Sequence, residues 1–303
     1  MIPEVNELFV LTKCNFFATN QVWPRKTRMN PDGWLKNFDA ADRRLACQLL
    51  NSFLYYPTDM IDRMFVSAVQ GLSRIVTSKT TCLADRRRQW ARFLDSAVFT
   101  FPTGEQPFAG DSGHLYVRRA RNLMSIDEEQ IVPPEQAIEQ LVNGTAKHVI
   151  FVDDFVGTGQ QFFKTWHRKY QNDRSFQSVS KTNEFTAYYC PLFCTKFAVE
   201  DQLLDVTDRV QIQPTHWLDE RQSLFSAESI WWPETMKPEV HDFIFRYSMR
   251  IGLPDSGGTQ VRDWQGYNQL GLTIGFPDCV PDATIPLFDT TMNGWQPLWR
   301  QGA

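Results

Sequence analysis

The sequence predicts an α/β protein: a parallel sheet flanked by helices, with a mostly helical N-terminal extension. Three observations lead there. Apolar residues recur at helical spacing through much of the first 95 positions. From 96 onward, short apolar runs alternate with helical segments, the pattern of βαβ units. One of these runs, HVIFVDDFVGTGQQFF at 148–163, passes from an apolar strand through two acids into a glycine-containing turn and a helix. A chain of 303 residues holds one large domain or two smaller ones. The change in character sets the expected boundary: 1–95 is a mostly helical region, and 96–303 is an α/β domain with C-terminal strands and loops packed on it.

The elements follow in order. Residues 1–30 show no clear period; QVWPRKTRMNPDGW, with two prolines and Arg25, Lys26 and Arg28, reads as a loop. Over 39–56, Leu45, Leu49, Leu50, Phe53 and Leu54 form one helical stripe, stopped by Pro57. A second helix, TDMIDRMFVSAVQGLSRIV at 58–76, starts at Thr58, with acids in its first turn and Met60, Met64, Val69 and Leu72 on its apolar side. LADRRRQWARFLDSA is a third, with Leu83, Trp90, Phe93 and Leu94 on one side and Arg86, Arg87 and Arg88 mostly on the other, a solvated face. SAVFTFP at 96–102 is a strand, followed by a loop rich in glycine and proline and then by the helix LYVRRARNLMS. PPEQAIEQLVNG is helical, with prolines at its start and Gly144 at its stop. The strand 148–152, the helix GQQFFKTWHRKYQ and the strands EFTAYYCPLFCT and VQIQPTH continue the alternation. A last helix lies near 231–252, before short strands and loops.

Composition narrows the function classes. A net charge of −4 gives no global attraction to nucleic acid or anionic lipid, so either would need a local basic patch. No basic-then-apolar leader heads the chain, and no run approaches the roughly 18 apolar residues of a membrane helix. The expectation is a cytoplasmic protein with no membrane partner. Cys14, Cys47, Cys82, Cys190, Cys194 and Cys279 are scattered, mostly in apolar contexts, and read as reduced thiols. Cys190 and Cys194 flank PLF, which is not zinc-knuckle spacing, and the five histidines form no HxxxH pair.

The segment at 148–163 carries the chemistry. In an open parallel sheet, ligands bind beyond the carboxyl ends of the strands, where the chain enters helices with unpaired amides and a positive dipole end. Gly157-Thr158-Gly159 before a helix fits a turn that lets the backbone approach a phosphate. Asp153 and Asp154 would repel that phosphate, but they suit sugar hydroxyls or a magnesium already held by phosphates. A sugar with a phosphate on its 5-position has that shape.

VIFVDDFVGTGQQ resembles the ribose-phosphate signature of type I phosphoribosyltransferases: apolar strand, two acids, short spacer, Thr-Gly. The resemblance implies that Asp153 and Asp154 contact the ribose 2- and 3-hydroxyls of phosphoribosyl pyrophosphate, and a metal only through the ligand. It implies a phosphate loop of Gly157, Thr158, Gly159, Gln160 and Gln161. It also implies a pyrophosphate loop, for which Gly110, Asp111, Ser112 and Gly113 are the candidates, before a helix with Arg118 and Arg119. Mg2+ is the implied cofactor. Gln160 and Gln161 depart from the family, which carries a small residue and then Thr or Ser; Gln161 retains an amide donor. His114 is the nearest candidate base to the second loop.

WLKNFDAADRRLACQLLNSFLYY, VDDFVGTGQQ and IPLFDTTMNGWQPLWR together resemble a bacterial phosphoribosyltransferase-like family associated with conflict systems, including retron-type phage defence. That resemblance implies an antiviral effector or component with a defence-system protein or ribonucleoprotein partner. Three readings stay open: an enzyme acting on a ribosyl-phosphate bond, a non-catalytic nucleotide sensor, and an interaction protein bound to a nucleic-acid or reverse-transcriptase complex. The arginines at 86–88 and the basic helix at 118–121 would carry the third.

Overall fold

The computed structural model describes residues 4–24, 27–104 and 112–300. In chain order its helices and strands are α1 (Glu7–Thr19), α2 (Pro31–Leu35), α3 (Arg43–Ser52), β1 (Leu54–Tyr55), α4 (Thr58–Val76), α5 (Leu83–Asp95) and β2 (Ala97–Thr100). Then come α6 (Ser112–Met124), α7 (Pro134–Val142), β3 (His148–Val156), α8 (Gln160–His167), α9 (Phe176–Val179) and β4 (Thr186–Thr195). The last are α10 (Lys196–Glu200), β5 (Val210–Ile212), β6 (His216–Leu218), α11 (Lys237–Arg250) and β7 (Ile274–Gly275).

The chain forms two compact units, Met1–Met60 with Asp219–Ala303, and Ile61–Leu218. These are not the units expected from the sequence, which drew one boundary at 95/96 and packed the C-terminal segment on the α/β domain. The physical reason is an aromatic core built from both ends of the chain. Trp34 stacks on Phe288 at 5.5 Å, and Phe38 meets Phe243, Tyr247 and Trp295 at 5.5, 4.8 and 5.2 Å between ring centroids. The Leu287 carbonyl accepts both the Trp34 and Trp295 indole N–H groups, at 2.7 and 2.9 Å, so neither ring buries an unpaired donor. A short parallel pair, Leu54 opposite Ile274 and Tyr55 opposite Gly275, joins the two sequence ends of this unit.

α1 stands where no element was assigned from the sequence. Its Asn6 cap accepts from the Phe9 N–H at 2.8 Å. Val10 and Cys14 are buried, while Leu8, Phe9 and Phe16 are exposed. Apolar residues on both sides erase the one-faced period that marks an amphipathic helix.

The second unit is the α/β one. Its sheet runs β2-β3-β4-β5, with β6 also pairing β4, and every ladder is parallel. One face is covered by α7, α8, α9 and α10, whose Ile138, Phe162, Phe176 and Ala198 pack with Val98, Phe151 and Tyr189 of the strands. α5 and α6 lie on the other: the Phe93 ring meets Tyr188 edge-on at 5.4 Å, and α6 packs on β2 and β3. Both faces are thus apolar, as a parallel sheet requires. α4 spans the segment expected, and it buries Ile61, Met64, Phe65, Val69 and Leu72; Met60, expected on that side, is exposed. Among the described residues, no helix is long and apolar enough to cross a membrane.

Candidate functional site

β3 carries both acids inside the strand. The sequence expectation ended the strand at 152; the pairing instead continues, with Asp153 opposite Pro191, Phe155 opposite Phe193 and Val156 opposite Cys194. The two carboxyls stay within reach of each other, the Asp154 side chain and its charge both bearing on Asp153. Asp153 lies on the α8 face, where its Oδ2 accepts the Tyr189 hydroxyl at 2.7 Å. Tyr189 itself stacks on Phe162 of α8 at 4.2 Å. Each carboxyl also accepts the next residue's amide: Asp154 N–H to Asp153 at 3.0 Å, and Phe155 N–H to Asp154 at 2.8 Å. Asp153 is 4% and Asp154 8% exposed.

Burial, and next the charge of Asp154, hold the Asp153 carboxyl well above the usual carboxylate range, against the opposing pull of the Tyr189 hydrogen bond. Burial, and next Asp153, push the Tyr189 hydroxyl well up. Burial followed by the Asp153 charge raises the Cys194 thiol to about 12, so it stays a neutral wall of the site.

Beyond β3 the chain turns through Gly157, Thr158 and Gly159 into α8. Gly159 caps the helix at φ 77°, in the left-handed region. A Cβ there would sit 2.6 Å from the buried Leu203 side chain, so only glycine fits. Thr158 Oγ1 accepts the Gln160 N–H at 3.3 Å, and Thr195 at the end of β4 donates to the Gly157 carbonyl. The turn is therefore held from the neighbouring strand, and the first turn of α8 opens over it. Gln160 and Gln161 are exposed. Gln161 Nε2 lies 3.5 Å from the Pro102 carbonyl, beyond the end of β2. Thr165 ties the same segment to α8, accepting from Thr103 N–H at 2.9 Å and donating to Thr103 O at 3.2 Å.

The residues expected to form the phosphate loop thus stand together with the exit of β2, the strand that leads to the second expected loop. Gly110 and Asp111 lie outside the described residues. Ser112 begins α6, and Gly113 follows so close to Phe101 that a Cβ would come within 2.6 Å of that ring. His114 is exposed, its ring 4.3 Å from Phe101. Arg119 points elsewhere, to a 2.7 Å ion pair with Asp62 of α4. Arg86, Arg87 and Arg88 are exposed, and Arg88 pairs with Asp85.

Sequence reasoning missed Tyr189, Thr195 and Thr165, the residues that hold Asp153, the turn and the β2 exit. Their types carry no motif; only the pairing of β3 with β4 and the packing of α8 bring them to the site. Among the described residues, no group of three or more His, Cys, Asp or Glu side chains is placed to hold a metal ion.

A family model described as PRTase-CE matches residues 31–301. No curated protein and no solved structure matches the chain.

Proposed function

The chain belongs to the PRTase-CE family, a phosphoribosyltransferase-like family, and from that premise we propose that it binds a ribose 5-phosphate ligand, phosphoribosyl pyrophosphate or a nucleotide, together with magnesium. The observation that carries the reading is the run from the two buried acids of β3 through the Gly157–Gly159 turn into α8. It sets carboxylates that accept from hydroxyls beside a helix N-terminus that favours an anion.

In this reading Asp153 and Asp154 take the ribose diol. Gly157, Thr158, Gly159, Gln160 and Gln161 surround the 5-phosphate. Gly110, Asp111, Ser112 and Gly113 meet the pyrophosphate. Two acids are too few to hold a bare magnesium, but they fit one that arrives on phosphate oxygens and keeps several waters. When bound, the metal supplies charge for the leaving pyrophosphate. The protein's own contribution is positioning: fixing the diol and the phosphate orients the anomeric carbon for displacement. We further propose a role as an effector or component of a bacterial antiviral defence system.

The alternative, a non-catalytic nucleotide sensor, is favoured by one observation. Asp153 is tied down by Tyr189 and buried, which suits holding a ligand better than repeated turnover. Binding of phosphoribosyl pyrophosphate with magnesium tests what the two readings share. Release of pyrophosphate from the bound ligand then separates them: an enzyme liberates it at a rate that saturates with ligand, and a sensor leaves it intact.

A further inference from the structure

We propose that the polar groove along α4 is a docking site for an extended acidic peptide segment of a partner protein. Arg63, Ser67, Gln70 and Arg74 are all exposed and recur at helical spacing, so they form one stripe along the helix. With Ser73 and the facing residues 213–215, they line a groove of about 530 Å³. None of these residues belongs to the sugar-phosphate motif.

The groove is built rather than incidental. Its far wall is fastened to the sheet, Gln213 N–H donating to the Tyr189 carbonyl at 2.7 Å and Thr215 N–H to the Pro191 carbonyl at 3.2 Å. The Thr215 hydroxyl donates to the Met64 carbonyl of α4 at 2.9 Å, which fastens the same wall to the helix. Two walls fixed to each other lose little freedom when a ligand enters.

Its charge selects an anion. Arg63 and Arg74 form no ion pair among the described residues, and no acid lines the groove. Eleven residues of helix separate them by ~16 Å along the axis, too far to grip one phosphate or one carboxylate together. They fit two anionic groups on one extended ligand, about five residues apart in a strand-like peptide.

The remaining lining chooses between polyanions. Ser67, Gln70, Ser73 and Gln213 each offer both a donor and an acceptor, which matches a peptide backbone, where N–H and C=O alternate. A phosphodiester backbone presents acceptors alone. No aromatic ring lines the groove, so bases would find no stacking platform.

The test is fluorescence anisotropy of the full chain against an array of labelled peptides of about eight residues, each with two glutamates at spacings from adjacent to about six apart. The expected result is a maximum of affinity at spacings of about four to five. Arg63→Glu and Arg74→Glu should each weaken that peptide about tenfold or more, with unchanged circular dichroism and melting. The neutral pair Arg63→Gln and Arg74→Gln should weaken it in the same order. The proposal is overturned if no spacing binds better than the glutamine-substituted peptide or if binding survives both reversals. Tighter binding of an oligonucleotide of equal charge would also overturn it.

Discussion

Asp153→Asn raises the midpoint of thermal unfolding and, in the same protein, weakens binding of phosphoribosyl pyrophosphate with magnesium. Asp153 is buried on the α8 face beside Asp154, and its carboxyl titrates well above the usual range. A carboxyl whose folded pKa is raised holds more protons folded than unfolded between the two values. Stability is therefore fullest at low pH and is lost as pH rises through the folded pKa. Asparagine keeps the shape: its one oxygen can still accept the Asp154 N–H, and its amide can donate to the Tyr189 hydroxyl oxygen, so both contacts survive without a charge. Its advantage should be near zero in acid and grow with pH to about 2 kcal/mol. The same change removes a charged acceptor from the ribose hydroxyls, a loss of about tenfold or more in affinity. Melts of both proteins at several pH values between about 5 and 9 check the first half, and a ligand titration checks the second. A variant less stable than the parent at every pH would mean that the ionised carboxylate is fully satisfied in the fold.

Gly159→Ala destabilises the second unit and abolishes ligand binding. The residue caps α8 at φ 77°, which costs an alanine about 1–2 kcal/mol. The new Cβ would lie 2.6 Å from Leu203, a side chain with no exposure, adding about 1–3 kcal/mol of overpacking. Leu203 sits among α10, β4 and α8 residues of one core and has little room to retreat. The turn must move instead, and with it the first amides of α8. Gly144→Ala is the matched control. Its φ is 79°, yet nothing lies within 4 Å of the added Cβ, so it should lose the backbone term alone. Denaturant melts of the two variants should differ by about 1–3 kcal/mol, the cost of the clash. Equal losses would mean that Leu203 yields freely.

The α/β class, the α4 boundaries and the acid pair with its glycine turn were legible because each rests on local pattern: period, caps and a compact motif. The division of the chain was not. Trp34, Phe38, Phe288 and Trp295 look alike as isolated aromatics, and only their long-range stacking reveals a core shared by the two chain ends. α1 was hidden by apolar residues on both sides. Within the site, Asp153 and Asp154 were legible as a pair but not as residues inside the strand. That follows from β3 continuing to Val156, and the continuation depends on register with β4. Tyr189 was invisible for the same reason.

The central claim is that the acid pair and the turn after it form one sugar-phosphate site. Calorimetric titration of the full chain with phosphoribosyl pyrophosphate and magnesium, repeated on Asp154→Asn, tests it most directly. The prediction is single-site binding to the parent, weakened by about a hundredfold in the variant. No heat from the parent at about millimolar ligand, or equal affinity in the two proteins, would contradict it.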